Sequence, residues 1–123
     1  MIPTLVQNIL VQDIVEVWSK KPIRDFIFLE DAADAMIALL DTDFVGPVNL
    51  GTGQSASICE ITNMLTAISG KEIIDLNLNV DGPMEFRCDI SLLQNLTSWR
   101  PRHTLEQGIE KTFSTMLGWH EGG

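Results

Sequence analysis

The sequence predicts a small mixed α/β domain in which short strands are interleaved with four to five helices. Some segments place apolar residues at helical spacing, whereas others alternate or run apolar over strand-like lengths. No internal repeat, low-complexity tract or linker divides the 123 residues, a common size for one domain. We therefore treat residues 1–123 as a single domain.

Composition and charge exclude several classes of protein. At 45% hydrophobic and 20% charged residues, the chain is typical of a globular rather than a disordered protein. No apolar run approaches the roughly 18 residues of a membrane span, and no basic leader opens the chain, so we expect a cytoplasmic protein without a membrane segment. The net charge of −9 argues against binding nucleic acid, which requires a basic face.

The first elements predicted are a helix and two strands. Pro3 suits a first helical position and precedes an apolar stripe. Residues 14–18 (IVEVW) and 23–29 (IRDFIFL) are typical of strands, and the intervening SKKP predicts a turn, so that the two strands would form a hairpin. Beyond Asp25 both faces of the second strand are apolar, which predicts that it is covered on both sides.

A second helix is expected next in the sequence. Glu30 and Asp31 suit its first turn, where negative charge meets the positive end of the helix dipole. Its buried face is predicted from the apolar stripe Ala33, Met36, Ile37 and Leu40. Residues 47–50 (PVNL) are then expected to form a short strand.

Two capping boxes mark further helices. Residues 57–60 open a helix that should end at Gly70, and residues 104–107 open the last helix. Between them, residues 74–81 (IDLNLNVD) alternate strictly between apolar and polar side chains. This alternation predicts a strand with one face on the core.

Few residues form a pattern of known chemistry. Gly51 and Gly53 lie between a predicted strand and a helix, but the third glycine of a dinucleotide loop and the lysine of a P-loop are absent. Phosphate binding and a tight turn both explain this loop. Neither the cysteines nor His103 and His120 have the spacing of metal ligands, so we expect no metal site.

Arg24 is the strongest candidate for a binding residue. At the end of a buried strand, a guanidinium can present two parallel donors to a phosphate. The alternative is an ion pair with Asp25 or with a neighbouring carboxylate. In so acidic a chain, a local cluster of basic residues indicates either a small anionic ligand or solvated surface charge. Two such clusters are present, Lys20, Lys21 and Arg24, and Arg100, Arg102 and His103.

Three segments together resemble a known family. They are IRDFIFLEDAADAMIALL, PVNLGTG and CDISLLQNLTSWRPRHTLEQGIEKTFSTML. In order and spacing they resemble the C-terminal, substrate-binding part of the extended short-chain dehydrogenases/reductases, which are NAD(P)-dependent sugar-nucleotide epimerases and dehydratases. The likeness runs from about residue 2 to residue 117. It implies the fold of that C-terminal part, without the dinucleotide-binding Rossmann half.

The resemblance implies a binding role for two arginines. In the family, the arginine of an Arg-Asp-aromatic motif reaches the nucleotide diphosphate of the substrate, and Arg24 matches it. The family often has a second arginine near the position of Asn79, whose side chain cannot supply a charge. Arg87 lies close by in sequence and is the candidate substitute.

The family's catalytic and cofactor motifs are missing from this sequence. The chain has no tyrosine, so it cannot contain the Tyr-x-x-x-Lys pair, and it has no Gly-x-x-Gly-x-x-Gly turn. Hydride transfer needs a held nicotinamide and an acid/base. We therefore expect no catalytic or cofactor-binding residue and no cofactor in this chain, although the full-length family uses NAD(P).

Two functions are consistent with these observations. The first is a substrate-domain fragment that is inactive alone and binds a nucleotide diphosphate-sugar. The alternative is a free-standing oligomerising interaction module that keeps the scaffold without ligand binding. Because strands that the family covers with a larger domain would expose apolar surface here, we also expect a homodimer or a domain-swapped oligomer.

Overall fold

Helices dominate the fold. The computed structural model describes residues 1–122, which form five helices and four short strands. In chain order the elements are α1 (Ile2–Val11), β1 (Val15–Val17), β2 (Ile23–Arg24), α2 (Leu29–Leu40), β3 (Ala56–Ser57), α3 (Ile58–Ser69), β4 (Ile73–Asp75), α4 (Ser91–Leu96) and α5 (Leu105–Gly122). This small mixed α/β architecture confirms the predicted fold class. No helix within the described residues is both long and apolar enough to cross a membrane.

The strands pair in two separate two-stranded sheets. β1 runs parallel to β4, with Val15 opposite Ile73, and β2 runs antiparallel to β3, with Ile23 opposite Ser57. The predicted hairpin between residues 14–18 and 23–29 is therefore wrong. Between β1 and β2, the carbonyls of the SKKP segment accept hydrogen bonds from the first turn of α3, which holds that segment against α3.

The predicted strands are shorter than expected. β2 covers only Ile23–Arg24, and the residues that follow are half-buried rather than covered on both faces. β4 ends at Asp75, shortly before Asn77 adopts a left-handed backbone conformation with φ of 52°. Residues 47–50 form no strand, because no other segment within residues 1–122 pairs with them.

The buried face of α2 differs from the predicted one. Met36, Ile37 and Leu40 are 59%, 61% and 83% exposed, whereas Asp31 and Ala35 are buried. Together with Leu29, the three exposed residues form an apolar strip along the helix, which we call the α2 strip. Spacing alone cannot distinguish this strip from the face that meets the core.

Both predicted capping boxes are confirmed. Ser57 Oγ accepts from Glu60 N at 3.1 Å, and Ser57 N donates to Glu60 Oε2 at 2.7 Å. Gly70 ends α3 in the left-handed conformation, with φ of 74°. Thr104 and Gln107 make the same reciprocal pair, at 2.9 and 3.1 Å. These local signals fix where α3 and α5 begin.

Two hydrophobic clusters form the core. The larger lies among α1, α3, α5, β1 and β4, and the smaller lies beneath α2 and α4 around Leu93 and Trp99. After β2, Phe26 packs against the larger cluster and Ile27 against the smaller. Consecutive side chains thus point to different clusters, and the segment between β2 and α2 lies where the two clusters meet.

Candidate functional site

Arg24 is held by backbone carbonyls rather than by a carboxylate. Its Nη1 atom donates to Ile23 O at 2.8 Å and to Met84 O at 3.2 Å. Within residues 1–122 it takes part in no ion pair, and its Nε and Nη2 donors have no partner. The ion pair with Asp25 that the sequence left open does not form. The half-buried guanidinium is therefore fixed in place with its charge uncompensated.

Asp25 instead binds the loop that contains Gly51 and Gly53, which we call the glycine turn. Its carboxylate accepts from Thr52 N at 3.0 Å, from Gly53 N at 2.9 Å and from Thr52 Oγ1 at 2.6 Å. A Cβ atom on Gly51 would lie 2.8 Å from Asp25 Oδ2 and 2.9 Å from Cys88 Sγ. Backbone N–H groups that could bind a phosphate thus already bind an internal anion, and the loop is a tight turn.

The segment that carries Arg87 runs beside β2. Ile23 N donates to Met84 O at 2.8 Å, and Phe86 N donates to Ile23 O at 2.9 Å. This parallel bridge, in which Ile23 lies opposite Glu85, brings together the two segments that hold Arg24 and Arg87. Arg87 itself is exposed and forms an ion pair with Glu85 through Nε.

A buried carboxylate lies outside the site that the sequence indicated. Asp31 is 1% exposed, and its Oδ1 atom accepts from His103 Nδ1 at 2.9 Å and from Arg102 N at 3.2 Å. Its Oδ2 atom accepts from His103 N at 3.1 Å. Burial acts to raise the pKa of Asp31, but the hydrogen bonds from the His103 ring and from the two backbone N–H groups outweigh it, so that the pKa lies below its usual value. Asp31 is therefore ionised.

His103 connects Asp31 to two further charges. Its Nε2 atom lies 3.2 Å from Lys111 Nζ and 3.8 Å from Glu30 Oε2, and Lys111 Nζ lies 3.5 Å from the same oxygen. The Phe28 ring packs 4.7 Å from the imidazole, centroid to centroid, and Lys111 Nζ lies 5.7 Å from its centroid. Sequence reasoning missed this cluster because Asp31 and His103 lie 72 residues apart.

Two cavities adjoin His103. The larger, about 1010 Å³, lies between the segment after β2, the glycine turn and the helices α1 and α5. Large apolar side chains line it, among them Phe26, Phe28, Leu105, Met116 and Trp119. A second cavity of about 560 Å³ shares His103, Lys111 and Thr115 with the first. Neither Arg24 nor Arg87 lines either cavity, so the arginines and the cavities are separate features.

Sequence comparison places the chain near sugar-nucleotide enzymes. Residues 1–51 match the model of the NAD dependent epimerase/dehydratase family. UDP-glucuronic acid decarboxylase 1 of Xenopus tropicalis is 33% identical over 91 residues, an alignment that covers 72% of this chain and 22% of that protein. The chain thus spans about a fifth of the length of this relative.

Solved structures agree in fold. An NAD-dependent NDP-hexosamine 5,6-dehydratase involved in tunicamycin biosynthesis superposes with a TM-score of 0.86 and 28% identity, covering 95% of this chain and 40% of that one. UDP-glucuronic acid 4-epimerase from Bacillus cereus, solved in complex with UDP-glucuronic acid and NAD, gives a TM-score of 0.81 and 26% identity, covering 94% of this chain and 38% of that one. In sequence and in fold, the chain is therefore related to the NAD-dependent sugar-nucleotide epimerases and dehydratases of the extended short-chain dehydrogenase/reductase family, as its motifs predicted.

Proposed function

We propose that this chain supplies the nucleotide-diphosphate-binding surface of a sugar-nucleotide epimerase or dehydratase and does not catalyse hydride transfer by itself. The observation that carries the proposal is the state of Arg24, which two backbone carbonyls fix and no carboxylate among residues 1–122 neutralises. A guanidinium that is already ordered loses less conformational freedom on binding and offers its remaining donors to phosphate oxygens. In a chain of net charge −9, attraction of an anion has to come from such a local charge.

Arg87 is proposed as the second donor. It lies on the segment that pairs with β2, two residues beyond Glu85. An incoming diphosphate would compete with Glu85 for this exposed guanidinium, and an exposed ion pair stabilises the chain too little to prevent the exchange. We therefore expect Arg87 to contribute less to binding than Arg24.

The names of the relatives support this class of ligand. The related epimerase was solved with UDP-glucuronic acid and NAD, and the related dehydratase acts on an NDP-hexosamine. NAD(P) does not fit the residues present here, because the one loop that resembles a dinucleotide turn is closed around Asp25. We assign cofactor binding and catalysis in the related proteins to the parts that this chain does not match.

Calorimetric titration with UDP-glucose and with GDP-mannose tests the proposal. We expect weak binding of one of them to the unmodified chain, loss of that binding in Arg24→Met, and partial retention in Arg24→Lys. Arg100→Met is a matched control, because Arg100 also donates to a backbone carbonyl, at 2.7 Å from Trp99 O. No binding by the folded chain, or equal loss in both methionine variants, would contradict the proposal.

The α2 strip favours a second candidate function, self-association. Its four apolar side chains lie on one helix face, an arrangement that can pack against its own copy about a two-fold axis. Light scattering on the purified chain tests this: we expect a dimer that Ile37→Lys converts to a monomer, and that Lys20→Met leaves intact. A folded monomer at micromolar concentration would exclude it. Because Ile37 and Arg24 lie on different elements, the two candidates can fail independently.

A further inference from the structure

We propose that His103 is a proton-driven switch, which exchanges Lys111 for Glu30 as the partner of its Nε2 atom and so moves Lys111, a side chain that lines both cavities. The inference depends on the geometry of the charged cluster and not on nucleotide binding. Histidine is the side chain that ordinarily changes charge between about pH 5 and 8.

The hydrogen bonds around the ring assign its neutral tautomer. Asp31 is ionised and can only accept, so the His103 Nδ1 atom, 2.9 Å from Asp31 Oδ1, carries the proton. The Nε2 atom then presents a lone pair. Lys111 Nζ, at 3.2 Å, has three donors and no acceptor, and it donates to that lone pair.

Protonation reverses the role of Nε2. Once Nε2 carries a hydrogen it can no longer accept from Lys111, and an imidazolium 3.2 Å from an ammonium is repelled by it. Glu30 Oε2 lies 3.8 Å from Nε2 and can accept its hydrogen after a small movement. The proton comes from solvent, and no other group needs to change charge.

The other charges that face the ring do not oppose this exchange. From α2 these are Asp31, which stays bound to Nδ1, and Glu30. From α5 they are Lys111 and Glu110, which lines the smaller cavity with His103, and from the preceding loop Arg102. The Arg102 guanidinium is already paired with Asp34, with Nη2 2.8 Å from Oδ2. Glu30 is therefore the acceptor available to a protonated Nε2.

Departure of Lys111 changes the cavities. His103, Lys111 and Thr115 line both of them, so a movement of Lys111 alters the lining of both cavities at once. The His103 ring is 13% exposed and is held by Asp31 and Phe28, whereas the Lys111 side chain is 53% exposed, and its ion-pair partner is Glu30 Oε2 at 3.5 Å, the oxygen for which a protonated Nε2 competes. Protonation thus moves the exposed Lys111 side chain and leaves the His103 ring in place.

Nuclear magnetic resonance on the ¹⁵N- and ¹³C-labelled chain tests the switch. Long-range ¹H–¹⁵N spectra from about pH 5 to about pH 8 should show Nε2 of His103 passing from an acceptor to a protonated nitrogen. The nuclear Overhauser contact between the Lys111 side chain and the Phe28 ring should fade with the same midpoint.

Two substitutions make the test specific. Lys111→Met should raise the His103 midpoint because it removes a positive charge 3.2 Å from Nε2, and Glu30→Gln should lower it because it removes a negative charge 3.8 Å away. Lys20→Met, which removes a lysine with no contact to the ring, should leave it unchanged. Unchanged midpoints in the first two variants, or a Lys111–Phe28 contact that persists at the acidic end, would overturn the proposal.

Discussion

Replacing Asp31 by alanine should destabilise this fold by about 3 kcal/mol. The carboxylate accepts three hydrogen bonds, from the His103 ring and from the backbone N–H groups of Arg102 and His103. Each donor left without a partner costs about 1 kcal/mol where water can still approach, as it can at the exposed Arg102. Three such donors therefore cost about 3 kcal/mol in all.

Urea unfolding followed by circular dichroism at neutral pH measures this change. For a chain of this size, about 3 kcal/mol corresponds to a fall of roughly 10 °C in Tm. Asp34→Asn is the matched control, because Asp34 lies on the same helix and pairs with Arg102 at the surface, where an ion pair contributes less than about 1 kcal/mol. Equal unfolding midpoints for the two variants would refute the reasoning.

The same carboxylate predicts a pH dependence. The pKa of Asp31 is lower in the folded chain than its ordinary value of 3.8. Its ionised form therefore stabilises the fold above that ordinary value, and the contribution is lost as the pH falls through the lower, folded pKa. The stability difference between the unmodified chain and Asp31→Asn should shrink as the pH falls below about 4. A constant difference down to the acid transition would contradict this assignment.

Two further predictions concern the glycine turn and the cysteines. Gly51→Ala should lower the free energy of unfolding by about 1–3 kcal/mol, because its Cβ atom would overlap Asp25 and Cys88. Gly118→Ala, on the open side of α5, should instead raise it by about 0.5–1 kcal/mol. Urea melts in which the two variants shift alike would contradict the tight turn. Burial, with a smaller effect from the Asp25 and Asp89 carboxylates, raises the pKa of the Cys88 thiol. Iodoacetamide should therefore modify the exposed Cys59 first, which mass spectrometry can measure. The reverse order would disprove this burial effect.

Features that depend on neighbouring residues could be predicted from the sequence. The capping boxes at Ser57 and Thr104 involve residues three apart, and both hydrogen-bond pairs form as expected. The resemblance to sugar-nucleotide epimerases and dehydratases also needed only the order and spacing of motifs, and the comparisons confirm it.

The candidate site was only partly predictable. The sequence singled out Arg24 and left its partner open between Asp25 and an anion. The structure removes Asp25 as the ion-pair partner, because its oxygens bind Thr52 and Gly53 across 27 and 28 residues. The roles of Arg24 and Arg87 as ligand donors stay predictions that the binding experiments test.

Sequence by itself determined where α3 begins and ends, where α5 begins, the fold class and the family likeness, since these follow from local chemistry and from motif order. Tertiary structure decided which strands pair and which face of α2 is buried. Period-3.6 spacing identifies an apolar strip along α2 but not what that strip meets. The orientation of the helix follows instead from Asp31, whose carboxylate is held by backbone groups 71 and 72 residues away. The inward side of α2 carries Asp31, which accepts these hydrogen bonds, and Ala35, Ala38 and Leu39, which pack in the smaller cluster, so the α2 strip is left in solvent.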